Sequence, residues 1–231
     1  MSTRLSHAVD PPHHVLPEWW ETLQTAGQRM ALESYRERWN RLARLGQVLR
    51  DNEAAICEAL QKDLGKPTVE TNLTELLPVY LEIRHFKKNL RKWMKDRAVQ
   101  PHFPYLLSKA RLAWQPKGCV LIIAPWNYPL NLALMPLIAA LAAGNSVVIK
   151  PSEFATATAE LLTRLLDQAM GTEVVRVVTG DASVGAWLCS LPFDHMLFTG
   201  SDRVGRKVAL AAAEQLIPCT LELGGKSPVY V

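Results

Sequence analysis

The sequence predicts an α/β fold, a five-stranded parallel sheet with flanking helices preceded by an N-terminal helical segment. Three observations predict it. Five short β-rich runs occupy the C-terminal half, helix-length patterns separate them, and the stretch from Glu18 to about Arg97 has a helical period throughout. The β-rich runs are GCVLIIA (118–124), SVVIK (146–150), VVRVV (174–178), HMLFT (195–199) and CTLEL (219–223). Helical patterns lie between them at 130–143, 155–169, 182–190 and 203–216. Strands without polar alternation, joined by helix-length crossovers, belong to a sheet covered on both faces, because right-handed βαβ units place helices there. Such a sheet is of the doubly wound, nucleotide-binding type.

Taken in order, residues 1–16 read as a flexible tail with no apolar stretch long enough for a signal peptide. Its His13-His14 pair lacks the third and fourth ligands of a metal site. Residues 17–100 read as helices packing on the sheet. Asp51-Asn52-Glu53 is expected to cap a helix through AAICEALQKDLG that stops at Gly65 and Pro67. TELLPVYLEIRHFKKNLRKWMKDR then begins another, with Pro78 in its first turns. Ile83, Phe86, Leu90 and Trp93 recur at steps of three and four beside a basic stripe of Arg84, Lys88, Arg91 and Lys95. Basic residues among aromatics suggest RNA binding, but these aromatics fall on the apolar side and are expected in the core, with the charges as a solvated face.

Pro101-His102-Phe103-Pro104 marks a change of composition, and residues 101–222 are assigned to the nucleotide-binding sheet, with 223–231 a stub of something further. The longest apolar run, LNLALMPLIAALAAG, is shorter than the ~20 residues of a membrane span and carries Asn131 and Pro136, so it reads as a buried helix. With 231 residues and 48% hydrophobic composition the chain fills a sizeable core. A net charge of +4 is too mild to call for nucleic acid or an acidic membrane as partner. Cys57, Cys119, Cys189 and Cys219 are scattered, which indicates neither a metal site nor a disulfide framework and fits reduced thiols in the cytoplasm.

In doubly wound sheets, ligands bind beyond the carboxyl ends of the strands. The residues there are APWNYP, KPSEF, TGD, TGSDRVG and ELGGK. Gly200 and Ser201 sit between a strand and a helix, where free N–H groups and the helix dipole suit a phosphate, and Gly205 lets the helix approach the sheet. The same spacing serves equally as a structural turn. Glu153 lies where a carboxylate holds ribose hydroxyls and Lys150 adds a donor; an ordinary ion pair explains both as well. Gly225-Lys226-Ser227 is not a phosphate loop, because position 220 is Thr and Pro228 follows instead of a helix. Glu222, at a strand end before two glycines, suits a general base, or else a Glu paired with a Lys. Cys219 lies three positions from Glu222 and so on the opposite strand face; Cys119 and Cys189 read as small hydrophobes.

In order and spacing, QPKGCVLIIAPWNYPLNLALMPLIAALAAGNSVVIKPSEF, LPFDHMLFTGSDRVGRKVA and LELGGKSP resemble the aldehyde dehydrogenase superfamily, nearest its class 3 and coniferyl-aldehyde-type branches. The resemblance extends from about Arg29 to the last residue. It implies NAD- or NADP-dependent oxidation of an aldehyde to an acid on a Rossmann-like domain. Carried over by position, Asn127 would donate its amide to the oxyanion, and Glu222 would activate water against the thioester. Lys150 and Glu153 would hold the adenosine ribose, Gly200 and Ser201 the pyrophosphate, with Gly205 packing the helix behind them and Trp126 walling the cofactor channel. Family members carry the nucleophilic cysteine and their oligomerising strands further along than residue 231, so the catalytic domain is essentially missing here and the chain is expected to be an inactive, truncated enzyme. Homodimers are the rule for the full-length family and are not carried over to this chain. The alternative is a non-catalytic nucleotide-binding or interaction module that pairs with a complete relative. No metal, nucleic acid or transmembrane segment is expected.

Overall fold

The computed structural model describes residues 16–105 and 107–230 of the 231. The expected tail and its His13-His14 pair fall almost wholly outside the described residues, as does Val231 at the other end. Helices α1 (Trp20–Ala31), α2 (Tyr35–Asp51) and α3 (Glu53–Leu64) come first. A capping box starts α2: Ser34 Oγ accepts from the Glu37 N–H while the Glu37 carboxylate accepts from the Ser34 N–H at 2.7 Å. Gly65, at φ +67°, closes α3 in the left-handed conformation that glycine adopts most readily.

Two expectations change in this layer. Asn52 does not cap α3; its side chain turns back and donates to the Val48 carbonyl at 2.8 Å, finishing α2. The next helix starts at α4 (Thr68–Thr71), six residues ahead of Thr74, and passes through a π turn (Asn72–Leu76) into α5 (Leu77–Trp93). Phe86 packs against the core as expected, but Trp93 is 39% exposed and covers Phe86 edge-on at 5.1 Å between centroids. A short antiparallel pair, β1 (Arg97–Val99) and β2 (Ala110–Leu112), then stands on the surface with all six residues exposed.

The sheet follows in alternation: β3 (Cys119–Ile123), α6 (Asn131–Ala143), β4 (Ser146–Lys150), α7 (Thr156–Met170), β5 (Val175–Val177), α8 (Ala182–Cys189), β6 (His195–Gly200), α9 (Asp202–Glu214) and β7 (Cys219–Leu223). Its order is β5-β4-β3-β6-β7 and every pairing is parallel. Successive side chains go to opposite faces. Val120, Ile122, Val147 and Ile149 join α2, α5, α6 and α7 in one core cluster. Cys119, Leu121, Val148, Met196 and Phe198 join Trp20, Leu23, Leu188 and Val208 in the other. Both faces are therefore dry, which explains why the strands read as unbroken apolar runs. Among the described residues no helix is long and apolar enough to cross a membrane.

Candidate functional site

Parallel pairing puts the carboxyl ends of all five strands on one edge. Along that edge the register sets Ile123 beside both Lys150 and Phe198, and Thr199 beside Glu222. The strand tips of β4, β3, β6 and β7 thus line up across three strand spacings, roughly 14 Å. The candidate residues lie along this edge or in the turns that leave it, except Gly205, which is in the first turns of α9.

Beyond β3 the chain turns through Trp126, Asn127 and Tyr128 before α6. Trp126 is 53% exposed and Asn127 is exposed beside it. The Asn127 carbonyl is not free: Lys66 Nζ, from the turn after α3, donates to it at 2.8 Å. At the tip of β4, Lys150 is buried, and its ammonium donates to the Pro151 carbonyl at 3.1 Å and to Glu153 Oε2 at 3.0 Å. Burial alone would raise the Glu153 carboxyl; hydrogen bonds from its own backbone N–H and from Lys150 outweigh it and hold the group below the usual carboxylate range. The two residues are thus one preformed pair.

At the tip of β6, Gly200 leads into Ser201, which caps α9; Ser201 Oγ faces the Val204 N–H at 3.5 Å. The Val204 N–H also reaches the Ser201 carbonyl at 3.1 Å, which leaves the N–H groups of Asp202 and Arg203 as the open donors of this 13-residue helix. A Cβ at Gly200 would lie 2.6 Å from Phe198 Cζ, and one at Gly205 would lie 2.6 Å from Leu223 Cδ2. A side chain at Gly200 would have to displace the buried Phe198 ring, whereas one at Gly205 meets the end of Leu223, which is 43% exposed. Glu222 is exposed on β7, the edge strand, two strand spacings from the β3 tip that leads to Asn127, or roughly 10 Å. Residues 224–230 form no helix, so Lys226 and Ser227 lack the setting of a phosphate loop.

A glycine-lined turn with an open helix N-terminus at the tip of β6 and a fixed Lys–Glu pair at the tip of β4, on either side of β3, fit an extended, anionic, hydroxyl-bearing ligand such as a dinucleotide. A large cavity lies elsewhere. About 1020 Å³ opens between Phe86, Trp93, Trp114 and the C-terminal end of α6, at the amino edge of the sheet. Concavity points to the amino edge and strand polarity to the carboxyl edge. Among the described residues no three of His, Cys, Asp and Glu gather as a metal site.

None of the four thiols serves the carboxyl edge. Cys119 and Cys219 open β3 and β7 at the amino edge, and Cys189 ends α8. Burial pushes the Cys119 thiol up to about 12 and the Cys189 thiol up to about 11, while burial and then Glu53 raise that of Cys57. In the folded chain, a thiol-alkylating reagent at neutral pH is expected to modify Cys57 and Cys219 well before Cys119 and Cys189, which need unfolding. Peptide mapping by mass spectrometry reads this out, and rapid labelling of Cys119 would contradict its burial.

Sequence reasoning missed Lys66 and Glu75, whose contacts reach Asn127 and α6 across 61 and 56 residues. One signal was present. Glu75 stands four positions before Val79 on a stripe that continues to Ile83 and Leu90, all buried, where a carboxylate is out of place without a partner.

The aldehyde dehydrogenase family model matches residues 20–231. Aldehyde dehydrogenase family 3 member B3 of Mus musculus is 41% identical over 236 residues, an alignment covering 100% of this chain and 48% of the relative. Among solved structures, a substrate-bound state of Staphylococcus aureus AldH superposes with a TM-score of 0.88 at 37% identity, over 91% of this chain and 46% of that one. Mycobacterium tuberculosis aldehyde dehydrogenase complexed with NAD+ does so with a TM-score of 0.81 at 29% identity, over 90% and 43%. The chain spans about half the length of the curated relatives it matches.

Proposed function

The chain belongs to the aldehyde dehydrogenase family, and from that premise we propose that it carries the cofactor-binding half of an NAD- or NADP-dependent oxidation of an aldehyde to a carboxylic acid. The alignment of Asn127, Lys150, Glu153, Gly200, Ser201 and Glu222 along one strand edge carries this reading. Residues 17–100 serve as a helical layer supporting the sheet at 101–222, and 223–231 lead towards the part that completes the site.

Each residue has a distinct task. The Ser201 turn and the N-terminus of α9 receive the pyrophosphate. Lys150 and Glu153 hold the adenosine ribose, and Trp126 walls the channel. The bound dinucleotide supplies the hydride acceptor. Asn127 donates its side-chain amide to the oxygen of the aldehyde as negative charge develops there, which typically contributes a few kcal/mol. Glu222 takes a proton from the water that releases the acid. The attacking thiol comes from outside these 231 residues, since the cysteines present stand at the amino edge or in helices.

On this reading the 231-residue chain binds cofactor without turning it over. NAD at about 100 times its Kd adds ~2.7 kcal/mol to the native state, which raises the melting temperature by roughly 5–10 °C in a chain of this size. No NADH absorbance accumulates with benzaldehyde or a medium-chain aldehyde. Melting that ignores both dinucleotides in a demonstrably folded sample removes the binding proposal. Turnover by the isolated chain removes the assignment of the nucleophile elsewhere.

A further inference from the structure

A charged pair lies buried between the helical layer and the sheet, and the chemistry above leaves it unused. The Lys66 side chain is 9% exposed and that of Glu75 is 0%. Lys66 Nζ donates to Glu75 Oε1 at 2.6 Å and to the Asn127 carbonyl at 2.8 Å, and it stands 3.9 Å from the centroid of the Tyr128 ring. Glu75 Oε2 accepts from the Asn131 backbone N–H at 2.8 Å. The Asn131 side chain in turn donates to the Thr74 carbonyl at 2.8 Å. One ion pair therefore grips the chain leading into α6 at the Asn127 carbonyl and at the amide of Asn131, the first residue of α6.

Local structure explains how the carboxylate arrives there. The π turn at Asn72–Leu76 is wider than an α turn, and it lets Glu75 and Leu76, adjacent in sequence, both bury. Stability does not explain why the pair is kept. Desolvating two charges offsets most of their attraction, and apolar residues of similar volume commonly do as well or better. What apolar residues cannot do is hold a carbonyl and an amide four residues apart in a fixed relation.

We infer that Lys66 and Glu75 are positioning residues that fix the Asn127–Asn131 turn and so present the Asn127 amide at the strand edge, an inference that rests on the role proposed above for Asn127. They touch no reacting atom and act through the backbone of Asn127 and Asn131. The N-terminal helical layer thereby sets the geometry of a donor that sits on the nucleotide-binding sheet.

The test uses the 231-residue chain, labelled with 15N, and compares it with Lys66→Met/Glu75→Met, which keeps volume and removes both charges. Amide exchange at Asn131, bonded to Glu75, and at Leu132, bonded to the Tyr128 carbonyl, is expected to accelerate ~10-fold or more, with protection in β3 and β4 retained. The NAD-dependent rise in melting temperature is expected to persist, because the ribose and pyrophosphate residues lie at other strand tips. Unchanged exchange in the turn of a folded variant overturns the inference. Uniform acceleration throughout the sheet also overturns it, since that is what loss of general stability produces. If the variant fails to fold, the unaltered chain and Lys66→Arg decide. The Asn131 N–H opens a helix and has no carbonyl one turn back, yet it must exchange slowly in both, and fast exchange there rejects the clamp. A missing NAD response in the unaltered chain would instead reject the cofactor reading, separately from the exchange result.

Discussion

Arg38→Met is expected to cost the fold about 3 kcal/mol, the largest loss from any single long side chain in the helical layer. Arg38 is buried at 6% exposure and its guanidinium reaches the ends of two helices. One amino group donates to the Ala142 and Ala143 carbonyls of α6 at 3.2 and 2.5 Å, and the other to those of Met30 and Ala31 in α1 at 3.3 and 3.2 Å. These are carbonyls of the last helical turns, at the negative ends of two helix dipoles, and of the four only that of Met30 also accepts from a backbone N–H, that of Glu33 at 3.2 Å. Burial pulls the guanidinium's pKa down, with Glu33 opposing, but arginine stays charged in proteins. Methionine fills the space and leaves the buried Ala142 carbonyl, and the part-buried carbonyls of Ala31 and Ala143, without the donor they have now, while Met30 keeps the Glu33 N–H at 3.2 Å.

Thermal unfolding should fall by roughly 10 °C for such a loss in a chain of this length. Lys in place of Arg restores little, because an ammonium cannot fork to four acceptors. Gly144 supplies an internal check. Its φ is +95°, and a Cβ there would meet Arg38 Cζ at 2.7 Å, so Gly144→Ala pays for strain and for the collision together. In the Arg38→Met background the collision with the guanidinium disappears, while the Met30 carbonyl at 2.9 Å and the backbone strain remain, so the two effects add to less than their sum. A melting point lowered by less than about 2 °C in Arg38→Met would show that water, not Arg38, satisfies these helix ends.

The contrast between legible and illegible parts of this chain has one physical origin, the range over which a feature is encoded. Val147, Val148 and Ile149 are fully buried on both faces of a parallel strand, so their own sequence betrays the strand and its bounds fall where the apolar run does. The same holds for β3, while β7, an edge strand with no buried residue, still falls on its β-rich run, and the helix patterns between them come within a residue or two. β1 and β2 are three residues each with every side chain exposed, and neither leaves a periodic trace. The π turn was invisible for another reason: it is set by what Glu75 must reach, not by propensity. Strand polarity told where to look for the site, because a ligand edge follows from topology. Nothing local tells that Lys66 ends against Asn127, because that contact exists only after helices and sheet have docked.

Lys150→Met is expected to weaken NAD binding about 30-fold, corresponding to ~2 kcal/mol lost from a charged hydrogen bond. The argument turns on preorganisation. Lys150 is 4% exposed, its stem lies under Gly185, where a Cβ would sit 3.7 Å from Cε, and two of its donors already engage Pro151 and Glu153. An ammonium has three donors, so one is left for a ribose hydroxyl with little side-chain entropy still to lose. The substitution also frees Glu153 from the Lys150 ammonium that helps hold its carboxyl down, leaving the ribose without a steady acceptor. Stability should change far less than affinity. Glu153 is 36% exposed, so the ion pair itself contributes under about 1 kcal/mol, and the orphaned Pro151 carbonyl adds a cost of similar size. Titration calorimetry on folded Lys150→Met separates the two effects. A Kd for NAD within twofold of the unaltered chain would show that the ribose is held elsewhere and that the Lys150–Glu153 pair is only a device for ending β4.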